Sequence, residues 1–261
     1  MNNFRLQRFY SNKSLLSRSI NDYFSGIFIL LILVLITLTL NIFVIATPSG
    51  PVVTYISNSS LASVTANRSQ DTKGTITTLN LSLNQQDYKW KAYVGNVTGK
   101  LVLDDSNSKA IYDWSLASIV GEVYVTRAST VNWGSVSCVN QSVIDAEATA
   151  FGTTSGGKDS INFTFNYTSH KSFLVGTLNI SNSSCRSTDT YINGAAQTVS
   201  EAANFEEILL KDNVTSNLVY TTLINTNTPG FNGGEYDFQM IVAENESSST
   251  PTNYYFYVEL G

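Results

Sequence analysis

GIFILLILVLITLTLNIFVIA, residues 26–46, carries no charged side chain and consists mainly of Leu, Ile, Val and Phe. As a helix rising about 1.5 Å per residue it spans roughly 30 Å, the thickness of a bilayer's hydrocarbon core. Its reading decides on which side of a membrane the rest of the chain folds. Before it stand Arg5, Arg8, Lys13 and Arg18 against one acid, Asp22. Taking these from the chain totals of 15 Lys+Arg and 20 Asp+Glu leaves 11 and 19 beyond the span. Cations gather on the cytoplasmic side of a first span. A cytoplasmic leader 1–25, a transmembrane helix 26–46 and an extracellular C-terminal part are therefore expected. Val44-Ile45-Ala46 would serve as a signal-peptide cleavage site, yet the apolar core exceeds the roughly 7–15 residues usual there. A retained anchor is the expectation, and cleavage would export the same domain.

The 215 residues after the span hold 54 Ser and Thr, while charged residues are only 13% of the whole chain. The acidic balance excludes nucleic acid as an expected partner, since phosphate binding needs clustered Lys and Arg. N-x-S/T triplets begin at Asn58, Asn67, Asn80, Asn96, Asn140, Asn162, Asn166, Asn179, Asn182, Asn213 and Asn245. They take 11 of the 21 Asn after the span, where Ser and Thr at a quarter of positions would give about five by chance. The excess predicts N-glycosylation. The competing reading is a Ser/Thr/Asn-rich β-domain whose turns generate triplets.

Residues 47–69 read as a polar stalk with a strand at 52–56, followed by one extracytoplasmic domain over 70–261. Within 74–83, Leu79, Leu81 and Leu83 alternate with Asn80 and Ser82. Within 160–168, Ile161, Phe163, Phe165 and Tyr167 alternate with Asn162, Thr164, Asn166 and Thr168. Period two is the strand signature, and three triplet asparagines fall on the polar faces. Further strands are expected at 90–95, 100–104, 110–114, 122–127, 131–136, 172–180, 218–224, 236–243 and 254–260. Gly95-Asn96, Asp104 to Asn107 and Asn232-Gly233-Gly234 supply turns between them. Helices are expected at 141–151 and at 198–211, the latter from a Thr198/Glu201 capping box and a Val199, Ala202, Phe205, Leu209 stripe. The expected fold is mainly β: an antiparallel β-sandwich with one or two short helices.

Cys138 and Cys185 are the only cysteines, and two exported cysteines in one domain are expected to pair. His170 is the only histidine and is expected as a solvated turn residue. One histidine and a disulfide leave no zinc donor set, and no nucleophile or phosphate-loop motif appears. Asp104-Asp105 read as turn residues, with calcium as the minor alternative. Glu206-Glu207 read as a helical surface pair with Lys211. Whether any two carboxylates converge stays open. Trp114 and Trp133 are expected in the core, and exposed Trp or Tyr would instead suit stacking on sugar rings. The last strand, aromatic on both faces, is expected to be covered on both or to meet another subunit. No catalytic site, metal or cofactor is expected.

WKAYVGNVTG, LVLDD, IYDWS and GEVYVTR, within residues 90–127, together with the closing YDFQMIVAEN and YYFYVEL, resemble archaeal cell-surface proteins. The layout of basic leader, apolar helix and Thr/Ser/Asn-rich β-domain is similar to that of archaeal pilins and archaellins. That resemblance implies a surface or filament subunit acting by self-association. The leader departs from it: Ser25-Gly26 follows Tyr23-Phe24, with Arg18 too far back for a pilin-type cut. The helix departs too, since its branched side chains suit lipid contact better than close helix packing. The leading expectation is a non-enzymatic, membrane-anchored surface glycoprotein making structural or adhesive contacts, with itself or other envelope proteins as partners. A pilin-like filament subunit and a carbohydrate-binding or sensing ectodomain are the alternatives.

Overall fold

The computed structural model describes residues 47–261 apart from 115, 117, 154–155 and 245–250. The expected anchor 26–46, its leader and Asn245 lie outside the described residues. Among the described residues no helix is long and apolar enough to cross a membrane.

In chain order the strands are β1 (Trp90–Gly95), β2 (Leu101–Asp104), β3 (Ala110–Trp114), β4 (Gly121–Thr126) and β5 (Val136–Cys138). Helices α1 (Gln141–Ala150) and α2 (Ile161–Thr164) follow, then β6 (Phe173–Val175), β7 (Leu178–Ile180) and β8 (Ser187–Asp189). The chain closes with β9 (Glu206–Asp212), β10 (Leu218–Leu223), β11 (Thr228–Pro229), β12 (Glu235–Tyr236), β13 (Phe238–Ala243) and β14 (Tyr255–Leu260). The protein is mainly β, with several antiparallel sheets.

The largest sheet has six strands in the order β14-β4-β10-β9-β5, with β8 also on β9. β5 lies along Leu210 to Asp212 and β8 along Glu206 to Ile208, so the two complete one edge of β9 end to end. The Cys138–Cys185 disulfide ties these two half-length partners together. Both faces of the sheet are covered. Val123, Val125, Leu209 and Tyr220 pack with α1, α2 and β13, while Tyr124, Ile208, Leu210 and Val219 pack with Phe173, Val175 and Ile180 of the β6–β7 hairpin. Burial on both faces explains why β10 does not alternate and why β9 carries Ile208, Leu209 and Leu210 in succession.

β1 and β13 form a separate ribbon over the first face. The backbone edge of β13 that β1 leaves open is met by side chains standing up from the sheet. Glu207 Oε2 accepts from Ile241 N at 2.9 Å, Tyr220 Oη accepts from Ala243 N at 3.4 Å, and Thr222 Oγ1 donates to Gln239 O at 3.1 Å. Three side chains from β9 and β10 thus do what a neighbouring strand would do for buried backbone groups.

Several expected elements change. The expected helix 198–211 is a turn followed by β9. Glu201, assigned to a capping box, instead accepts from Ser183 Oγ and Asn182 Nδ2, at 2.7 and 2.8 Å. Gln197 brackets Asn204 through both its N–H and its carbonyl, and Phe205 sits at φ +52° with its N–H on Asn225 Oδ1. The expected strand 160–168 holds instead the single turn α2, capped by Ser160. Ile161 and Phe165, four apart, are the buried pair, while Phe163 and Tyr167 face out. Residues 172–180 fold back as the β6–β7 hairpin, with Gly176 at φ +57° in its turn. Within 131–136 a 3-10 turn, Trp133–Ser135, precedes β5. Helix α1, and strands β1 and β3, stand where periodicity placed them.

Candidate functional site

Among the described residues β2 and β3 pair only with each other. Their register sets Leu101 opposite Trp114 and Leu103 opposite Tyr112, so these four side chains share one face of the ribbon. That face is uncovered: Leu101 is 44% exposed, Leu103 54%, Tyr112 60% and Trp114 46%. The two rings meet edge to face at 5.0 Å and 68°. No charge interrupts the face, because Asp113 points the other way and pairs with Lys100. At the hairpin end, Asp105 Oδ1 accepts from Asn107 N and Lys109 N, at 2.9 and 2.8 Å. That carboxylate caps its own turn. Trp114, expected in the core, lies at the surface instead, because among the described residues no further strand joins β2 and β3. A lone two-stranded ribbon with a bare apolar face is marginal in water and suited to a partner.

Residues 50–88 form a second uncovered feature. They hold neither helix nor strand, and all but Gln86 are exposed. A turn at Lys73-Gly74, with Gly74 at φ +83°, reverses them. Leu61 N donates to Gln86 Oε1 at 2.9 Å, and both residues lie about equally far from that turn, so two arms run back side by side. Among the described residues no strand pairing joins the arms. The expected strands 52–56 and 74–83 are therefore absent, and Leu79, Leu81 and Leu83 are 57%, 92% and 73% exposed. The root of this finger is fixed: Ser49 exchanges two backbone hydrogen bonds with Val258, of 3.0 and 2.8 Å. The segment expected as a free stalk thus begins docked on β14.

Carboxylates do converge, but inside the protein. Glu122 and Glu259 are directly opposed on β4 and β14 and both are buried. Tyr124 Oη donates to Glu259 Oε2 at 3.0 Å, and Gly176 N donates to both Glu259 oxygens. Desolvation first, and the Glu259 charge second, push the Glu122 carboxyl up to about 8. Desolvation also raises Glu259, against the pull of the Gly176 N–H and the Tyr124 hydroxyl. Asp189 and Glu206 form a second cross-strand pair. Burial, then the Glu206 charge, lifts Asp189 to about 6, while Glu206 pairs with Lys171 Nζ at 3.1 Å. Glu206 and Glu207, expected on a helix surface, are both buried in β9. The Glu122–Glu259 pair can hold a proton between two strands at neutral pH. The cross-strand partners of Glu206 and Glu207 become legible only once β9 is known to be a strand.

His170, expected in solvent, is fully buried. Its Nδ1 donates to Lys171 O at 2.7 Å, and its Nε2 accepts from Ser184 N and Cys185 N, at 3.1 and 2.9 Å. It braces the backbone beside the disulfide rather than facing a substrate. Among the described residues no group of three or more His, Cys, Asp or Glu could hold a metal ion. Trp133 lies between Tyr124 and Tyr257, with centroids 5.0 and 5.1 Å away. Trp90 donates its indole N–H to Asp159 O at 2.7 Å. Asn58, Asn67, Asn80, Asn96, Asn140, Asn166, Asn179, Asn182 and Asn213 are exposed and Asn162 is half-buried.

Comparison of the chain with protein-family models, with curated proteins and with solved structures finds no match.

Proposed function

We propose that this chain is a membrane-anchored extracytoplasmic glycoprotein whose sandwich-like β-body makes structural or adhesive contacts at the cell envelope, without catalysis. The observation that carries the reading is the bare face of Leu101, Leu103, Tyr112 and Trp114. A patch of roughly 400 Å² is the size of the largest apolar patch on a typical monomer, and such a patch is often a binding site. The uncharged span 26–46 behind a cationic leader supports the anchor. The disulfide fits an oxidising compartment. The exposure of the triplet asparagines supports glycosylation. The acid pairs support a structural role, because each is enclosed between strands rather than opened to solute.

The test is co-sedimentation of the purified full-length protein, in mild detergent, with isolated envelope material from the source cells. Replacing Tyr112 and Trp114 together by Ser is expected to lower binding at least tenfold. Unchanged binding contradicts the proposed contact role. A filament subunit is the second reading, and the unpaired, strand-patterned finger favours it. It requires a mature N-terminus near residue 27, where a retained anchor requires residue 1 or 2.

A further inference from the structure

We propose that the bare ribbon face of one copy is covered by the finger segment 75–83 of a second copy, reciprocally. This inference rests on the reading of the ribbon as a contact surface and names what occupies it.

Three observations point to the same occupant. The first is chemical match. From Gly74 to Gln86 the finger has no charged residue, and neither has the ribbon face, so the two can meet without burying a charge. The second is strand geometry. Leu79, Leu81 and Leu83 alternate with Asn80 and Ser82, and among the described residues neither this segment nor an outer edge of the β2–β3 ribbon has a ladder partner. An extended segment with alternating apolar side chains is what an open edge and an apolar face accept. Asn80 and Ser82 then point away, which leaves the Asn80 triplet accessible to a sugar.

The third is area. Large side chains about half exposed offer on the order of 100 Å² each, so the ribbon face supplies roughly 400 Å² per copy. A specific interface needs about 800 Å² per partner. Leu79, Leu81 and Leu83, from 57% to 92% exposed, supply most of the other half. Reciprocal exchange, in which each copy gives a finger and receives one, approaches that size and closes with two-fold symmetry. Within one copy the finger does not cover its own ribbon, since both are exposed.

The disulfide makes the test clean, because neither native cysteine is free. Full-length Leu81→Cys and an epitope-tagged Leu103→Cys are purified separately in mild detergent, mixed, and oxidised briefly. The control pairs Leu81→Cys with Val102→Cys, whose side chain lies on the opposite ribbon face. All three substitutions are at exposed sites, so folding is spared. The expected result is a disulfide-linked dimer of one tagged and one untagged chain, at least tenfold more abundant than with the control. Equal cross-linking in the control, or none in either, overturns the proposal. So does a Leu81→Cys/Leu103→Cys double variant that closes its bond only within monomers. If cross-linking fails while the Tyr112/Trp114 double replacement still abolishes envelope binding, the contact surface stands and its occupant is another molecule.

Discussion

Glu122 faces Glu259 across the β4–β14 pair, and burial favours a proton on one of the two. In the unfolded chain Glu122 titrates near its ordinary 4.5, and folding pushes it to about 8. A raised carboxyl contributes stability that is complete below the unfolded value and is lost as pH rises through the folded one. Asp189, lifted to about 6, adds loss in the same direction, as do Glu206 and Glu207, both raised by burial. Asp212 runs the other way. Burial raises it, but the N–H groups of Val214 and Asn132 outweigh that and hold it below the usual range. Its contribution is present above about pH 4 and lost in stronger acid. Stability is therefore expected to peak near about pH 4.5–5 and to fall toward about pH 8. In urea titrations Glu122→Gln, which keeps the neutral shape, should remove on the order of 3 kcal/mol of that fall. A wild-type protein more stable at pH 8 than at pH 5 would refute the assignment. None of this is readable from residue type alone, because a glutamate's partner on the adjacent strand lies over a hundred residues away. His170 is the same case: its acceptors and donors come from Lys171, Ser184 and Cys185, and only the folded chain brings the last two to it.

At the scale of elements, the edge of β13 shows how side chains replace a missing strand. Glu207 satisfies the Ile241 N–H from a fully buried position. Glu207→Leu leaves that donor unpaired and should cost about 1–3 kcal/mol, with faster hydrogen exchange at Ile241. Glu207→Gln keeps an acceptor and should cost less than half as much. Equal losses for the two would show that packing volume, not the hydrogen bond, matters there. Gly121 has a comparable local role. At φ +136° a Cβ would meet the Glu259 carbonyl oxygen at 2.0 Å, so only glycine lets β14 approach β4 at that row. Sequence periodicity identifies an element with one helical stripe, such as α1. It misreads β9 because a strand buried on both faces has no alternation, and Val199, Ala202, Phe205 and Leu209 then imitate a helix. It misreads 160–168 because Ile161 and Phe165 are buried at a spacing of four while Phe163, between them, lies under Lys158 at 4.2 Å. It places Trp114 in a core because a strand's apolar face usually has a cover. Here that face is bare, and the mismatch marks the candidate site.

In the molecule as a whole, an uncharged apolar stretch precedes a mainly β body stapled by one disulfide, with two uncovered surfaces. Extracytoplasmic residence on a retained anchor is the premise of the proposed glycans and contact role, and the Cys138–Cys185 disulfide fits it. The most direct test is the intact mass of the native protein, extracted from the membrane fraction, before and after removal of N-glycans. The species expected begins at residue 1 or 2, exceeds the 28.6 kDa of the bare chain, and returns to that mass when the sugar is removed. An unglycosylated 28.6 kDa chain recovered from the soluble cytoplasm, with Cys138 and Cys185 reduced, would contradict it.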